Sequence, residues 1–202
     1  MRICIIDTGS ANLNSVNQAL VRLNLTPVIS SDLAELKQAD RLILPGVGTA
    51  GNCMAGVQRN GLTDFIKETT TPLLGICLGM QILATDSTEA DLSAADDSIQ
   101  TLDIIKGHVV KLNSDGLRLP HMGWNTVRHT DHPLFDGIKQ DAYFYFDHSF
   151  ALECGDYSIG ITNYGSDFTA ALVSQNFMGV QFHPEKSGTV GSRLLENFIH
   201  NF

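Results

Sequence analysis

The sequence predicts an α/β protein built on a central mostly parallel or mixed sheet flanked by helices, with an antiparallel extension in the C-terminal half. Short apolar runs alternate with stretches of helical period through the first 80 residues or so. After residue 100 strand-like runs follow one another through tight turns, and the chain closes on helical spacing again.

RICIID, residues 2 to 7, is a short apolar run suited to a buried strand, and Thr8, Gly9 and Ser10 are turn residues after it. Leu13, Val16, Leu20 and Leu23 then share one helical face, and Pro27 leads into a second strand, PVIS. Residues 32 to 39 read as a second helix, RLILPG (41 to 46) as a third strand, residues 52 to 68 as further helical turns, and PLLGIC (72 to 77) as a fourth strand. This β-α-β-α order places active residues at the carboxyl ends of the strands. In the second half, IIKGHVVKL, AYFYFDHSFAL, YSIGITNY, TAALVS and FMGVQF read as strands. Residues 86 to 101 read as an exposed acidic loop, and GSRLLENFIHNF as an amphipathic helix with Leu194, Leu195, Phe198 and Ile199 inward. No internal repeat or low-complexity linker breaks the pattern, so one domain over residues 1–202 is expected.

Composition narrows the class. Hydrophobic residues make up 43% and charged ones 17%, as in a globular chain, and the net charge of −9 offers no general pull towards nucleic acid or anionic membrane. Neither a signal-peptide pattern nor an apolar run of roughly 18 residues occurs, so a soluble cytoplasmic protein is expected. Cys4, Cys53, Cys77 and Cys154 form no C-x-x-C pair and read as reduced thiols. His121, His129 and His132 match no metal-ligand spacing and read as solvated loop histidines. Nothing asks for a metal or a cofactor.

PLLGICLGMQ, residues 72 to 81, sets a cysteine between glycines where an apolar run gives way to helical spacing. The amides of a helix's first turn lack intrahelical partners and favour an anion, so a cysteine at such a corner is a candidate nucleophile. Gly75 and Gly79 would let the chain turn sharply and leave room for a substrate. A small buried hydrophobe is the competing reading of Cys77. VQFHPEKSG, residues 180 to 188, offers a base: His183 and Glu185 are two apart, and on extended backbone both would project to one side, the carboxylate orienting the imidazole. LPGVGT, residues 44 to 49, ends the third strand with two glycines. Beside the Cys77 corner, a backbone N–H near Val47 and that of Leu78 could form an oxyanion hole; an ordinary glycine-rich turn is the alternative.

GICLGMQ together with HPEKSG resembles the class I, triad-type glutamine amidotransferases, and the likeness runs from IIDTGSANLNSV to the final helix. LPGVGT, LPHMGWN (119 to 125) and YFYFDHSF (143 to 150) are similar to the glutaminase-subunit branch serving histidine biosynthesis. The resemblance implies a flavodoxin-like three-layer fold and hydrolysis of glutamine through a cysteinyl thioester. It implies Cys77 as nucleophile, His183 as base and then acid, and Glu185 as the orienting carboxylate. Gln81, Glu89 and Ser149 would hold the glutamine, with Gly46, Val47, Gly48 and Leu78 lining the pocket. Asn12, Trp124, Tyr145 and Lys186 would face a (β/α)8 cyclase subunit that receives ammonia, in a heterodimer. Two departures stand out: Asp147 where the family has an apolar residue, and STEADLSAADDS (87 to 98) where it more often has a serine and two adjacent glutamates. DTGS, residues 7 to 10, spells the aspartic-protease tetrapeptide, but it is single and leads into a helix. A same-fold cysteine hydrolase of the γ-glutamyl hydrolase kind and a non-catalytic regulatory subunit are the remaining alternatives.

Overall fold

A computed structural model describes residues 1–9, 12–89 and 98–202. Nine strands form one sheet in the order β2-β1-β3-β4-β13-β12-β11-β8-β9. Strands β1 (Ile3–Ile6), β2 (Val28–Ser30), β3 (Arg41–Gly46), β4 (Leu73–Cys77) and β13 (Phe177–Val180) are mutually parallel. Strands β12 (Ser166–Ser174), β11 (Ser158–Tyr164), β8 (His121–His129) and β9 (Ala142–His148) continue the sheet through antiparallel pairs.

Alternation along β1 divides the interior in two. Ile3 and Ile5 pack with Val16 and Leu20 of α1 (Leu13–Arg22) and with Leu194, Leu195, Phe198 and Ile199 of α6 (Gly188–Asn201). Cys4 and Ile6 join Leu36 of α2 (Leu33–Leu36), Cys53 and Val57 of α3 (Ala50–Arg59) and Ile66 of α4 (Thr63–Glu68) on the opposite face. A sheet buried on both faces needs apolar residues at consecutive positions, which explains the unbroken runs RLILPG and PLLGIC. All four inward residues expected of the last helix are fully buried.

Several elements differ from the sequence reading. The stretch at 32 to 39 is helical only over one turn, α2, capped by the Asp32 side chain on the Ala34 N–H at 2.8 Å. The run through 52 to 68 is two helices broken at Gly61, whose φ is +66°. HMGWN, read as a motif alone, lies in the nine-residue strand β8. The expected loop at 86 to 101 carries β5 (Asp86–Ser87) and β6 (Ile99–Gln100), while its residues 90 to 97 lie outside the described residues. With β7 (His108–Lys111) and β10 (Phe150–Leu152) these strands make a second sheet, β10-β7-β5-β6. Strand periodicity carries no information on which sheet a strand joins, so this sheet was invisible in the runs themselves.

The glycines of PLLGICLGMQ make room for neighbouring backbone rather than for a substrate. A Cβ on Gly79 would overlap the carbonyl oxygen of Leu44, one on Gly75 would lie 2.7 Å from the carbonyl oxygen of Gly79, and one on Gly46 would lie 2.8 Å from the Gly79 nitrogen. Three main-chain segments thus meet at van der Waals contact where β3 and β4 end. Gly79→Ala should lower the free energy of unfolding by about 3 kcal/mol, read by denaturant titration. A variant as stable as the parent would mean that the corner can open.

Candidate active site

Cys77 closes β4 opposite Gly46 of β3 and has φ 53° and ψ −111°, a conformation costly for any residue with a side chain. It is followed at once by α5 (Leu78–Gln81). That helix is a single turn, shorter than the spacing suggested.

His183 and Glu185, the base and orienting carboxylate expected from the sequence, follow another strand. One residue beyond β13, the chain runs Gln181, Phe182, His183 and then turns through a 3-10 segment, Pro184–Lys186. His183 is extended as expected, at φ −98° and ψ 96°, but Glu185 reaches it by the turn and not along a strand. His183 Nδ1 and Glu185 Oε1 are 2.7 Å apart, and both side chains are buried. The second oxygen of Glu185 is buried without a hydrogen-bond partner. Strand β9 clamps the turn. His183 N–H donates to the Tyr145 carbonyl at 2.8 Å, Tyr145 N–H donates to Ser187 Oγ at 3.0 Å, and Ser187 Oγ donates to the His183 carbonyl at 2.6 Å. Since β9 is the far edge of the sheet, the sheet curls enough to bring its last strand back over β13. Stacking of Phe144 on Phe182, with ring centroids 4.0 Å apart, packs the closure.

Burial alone would pull the His183 pKa down. Hydrogen bonds to Cys77 and to Glu185, reinforced by their charges, override it and raise the pKa to about 10. His183 Nδ1 serves the carboxylate, which leaves Nε2 for the sulfur. The imidazole therefore holds a proton at neutral pH. The sulfur also lies 3.9 Å from the Asp147 carbonyl and 3.6 Å from Gln181 Nε2. Asp147, the departure from the family pattern, meets Cys77 through its backbone, so the change of side chain leaves that contact intact.

A cavity of about 300 Å³ opens over the sulfur. Gly46, Val47, Gly48, Leu78, Gln81, Glu89 and Ser149 all line it, with Cys77 and His183 in its wall. Two of these side chains have other attachments. Glu89 Oε2 accepts from the Ala50 N–H at 3.1 Å, and Gln81 Nε2 donates to the Phe150 carbonyl at 2.8 Å. Lys186 lines this cavity as well, and with Asn12, His183 and Glu185 it lines a smaller one. Lys186 Nζ lies 5.5 Å over the ring of Tyr145, which meets exposed Trp124 edge-on at 6.1 Å. The four residues expected to face a partner therefore border one rim, joined there by exposed Met122 and Tyr143 on the same face of β8 and β9.

The sequence model of "Glutamine amidotransferase class-I" matches residues 4–202. The chain belongs to the class-I glutamine amidotransferases. It is 50% identical over 198 residues to "Imidazole glycerol phosphate synthase subunit HisH" of Mannheimia succiniciproducens, covering 98% of each chain. It is 49% identical over 198 residues to the protein of the same name from Vibrio cholerae, covering 98% of this chain and 97% of that one. In fold it resembles the structure of PurLQS from Thermotoga maritima, with a TM-score of 0.74 at 20% identity, covering 99% of this chain and 98% of that one.

As an amidotransferase the chain has four free cysteines, of which Cys154 alone is exposed. No group of three or more metal-ligating side chains occurs among the described residues. Of the histidines read as loop residues, His132 accepts the Leu134 N–H at 3.2 Å and His129 stacks on Phe135. His121 is different. It is buried between Phe146 and Tyr164, and its Nδ1 lies 3.0 Å from His148 Nε2. Sequence reasoning assigned no role to His148 or Gln181, although a polar residue inside the apolar run FMGVQF was a signal worth following.

Burial pulls the pKa of His148 to about 3 and that of His121 to about 4, so both stay neutral in the fold. Unfolding releases them to ordinary histidine values, and the unfolded chain then binds protons that the native one refuses. Stability should therefore fall with pH from about 6.5 to 5, approaching about 1.4 kcal/mol per pH unit for each histidine. Urea unfolding at stepped pH reads the slope; a flat profile in that window would contradict the neutral buried pair.

Proposed function

We propose that this chain is the glutaminase subunit of an imidazole glycerol phosphate synthase, a single glutamine amidotransferase domain over residues 1–202 acting in the cytoplasm of histidine-making cells. It hydrolyses L-glutamine to glutamate and passes the ammonia to a (β/α)8 cyclase subunit in a heterodimer. That subunit uses the ammonia to make imidazole glycerol phosphate and aminoimidazole carboxamide ribonucleotide. The observation that carries this reading is the convergence of Cys77 and His183 from two separate strand ends at the wall of one cavity, with Glu185 hydrogen-bonded to the imidazole from outside it. Near-half identity to HisH subunits over almost the full length supports the choice within the family.

The chemistry follows from the site. Sulfur of Cys77 attacks the side-chain carboxamide carbon of glutamine, and the oxyanion meets the Leu78 N–H and an amide near Val47. The imidazolium of His183 gives its proton to the departing nitrogen, the C–N bond breaks, and ammonia leaves a thioester on Cys77. Acylation removes Cys77 as one of the two partners that had raised the imidazole's pKa, while Glu185 stays beside it. His183, now neutral, takes a proton from water as it attacks the thioester, and glutamate leaves with return of the proton to the imidazole and of the electron pair to sulfur. Glu185 keeps the ring in one orientation throughout.

Gln81, Glu89 and Ser149 hold the glutamine, and Asn12, Trp124, Tyr145 and Lys186 border the exit towards the cyclase. A dry passage keeps ammonia unprotonated and nucleophilic. In the complex with the cyclase, Cys77→Ala should abolish glutamine-dependent cyclisation and leave ammonia-dependent cyclisation near the unmodified rate. Glutamine-dependent cyclisation near the parental rate in the variant would remove Cys77 from the chemistry, and loss of co-purification with the cyclase would place it in the folding of the chain.

A further inference from the structure

Gln181 is fully buried, a setting in which an amide must have a reason for its hydrogen bonds. Its orientation can be deduced from its neighbours. The Phe150 carbonyl can only accept, so the Gln81 atom 2.8 Å from it is the nitrogen. That nitrogen's second proton goes to Gln181 Oε1 at 2.9 Å. Gln181 Nε2 is thereby left pointing at Cys77 Sγ, 3.6 Å away.

The Phe150 carbonyl is held in turn by a second chain that reaches the outer strands. Asn125 Oδ1 accepts the Thr126 N–H at 2.8 Å, and its Nδ2 donates to the Asn163 carbonyl at 2.9 Å and meets His121 Nε2 at 3.3 Å. A donor at Nε2 makes that atom the acceptor, so the His121 proton is on Nδ1 and is given to His148 Nε2 at 3.0 Å. The His148 proton is consequently on Nδ1, given to the Phe150 carbonyl at 2.9 Å. Both ends of the series demand the same orientation at every link.

The geometry points to Gln181 as a positioning residue for the glutaminase reaction: its N–H holds the Cys77 sulfur and favours the thiolate both as it attacks and as it leaves the thioester. This rests on the reading of Cys77 as the nucleophile. A hydrogen bond to a charged sulfur has a value that one to a neutral side chain lacks, since the same donor stabilises charge at the start and end of the cycle.

Gln181→Glu separates this role from a structural one. The isosteric carboxylate still accepts from Gln81 but sets an oxygen, and no donor, against the sulfur. In the complex with its cyclase partner the variant should lose about 10- to 100-fold in glutaminase kcat with KM nearly unchanged. Iodoacetamide should alkylate its Cys77 at least about tenfold more slowly than the parent's, counted by peptide mass. Gln181→Met, close in volume and without any donor, should show both losses while its circular dichroism, urea midpoint and co-purification with the cyclase match the parent's, which certifies the fold. Parent-like alkylation and kcat in either folded variant would overturn the assignment. If parental Cys77 is alkylated no faster than exposed Cys154, the nucleophile reading itself fails and the role of Gln181 falls with it.

Discussion

The chemistry proposed for this protein depends on a main-chain corner that an ordinary residue would avoid. Cys77 stands at positive φ between two glycines, Gly75 and Gly79, that have no space for a Cβ because the backbones of Leu44, Gly75 and Gly79 touch there. Strain of this kind costs on the order of 1–3 kcal/mol, and it persists only where packing over-determines the chain. Here the packing is that of two parallel strands buried on both faces, β3 and β4, whose register sets Gly46 against Cys77. The corner lifts the sulfur out of the sheet and into the cavity, where a cysteine in regular strand conformation would have entered one of the two cores.

The imidazole is placed by a different device. Its turn follows β13, beside β4, so the two strand ends are neighbours; α1 and α6 pack on the turn, and β9 fastens it through the main chain. Tyr145 gives both of its main-chain groups to that turn, one to the His183 N–H and one to Ser187. The antiparallel extension is thus a clamp, and its curl is the reason that the edge strand of the sheet can reach the middle of the site. Because Trp124 on β8 pairs with Tyr145 on β9, the rim that would meet a partner is mechanically continuous with the turn that carries His183.

Polar order runs through the interior as well as along the surface. Asn125, His121, His148, Phe150, Gln81 and Gln181 form a succession in which every donor has an acceptor, and burial keeps both histidines neutral so that the pattern survives at physiological pH. A buried network of this kind specifies orientation more than it adds stability, since an unpaired member would be costly in a low-dielectric interior. Its last donor faces the sulfur.

Residue pattern by itself determined the alternating parallel half, the strand-to-helix corner at Cys77, the pairing of His183 with Glu185 and the closing helix. Each is local: apolar runs, glycine spacing and an H-x-E motif act over a few residues. Decided only by tertiary structure were the second sheet, the clamp by β9, the occupancy of the glycine spaces by backbone, and the burial of His121 beside His148. Those features join residues tens of positions apart, and period and composition are blind to which segments will meet. The sulfur and the imidazole were legible as candidates because chemistry restricts which side chains can serve. Gln181 was not, because an amide becomes informative only when its neighbours dictate which end faces the reaction.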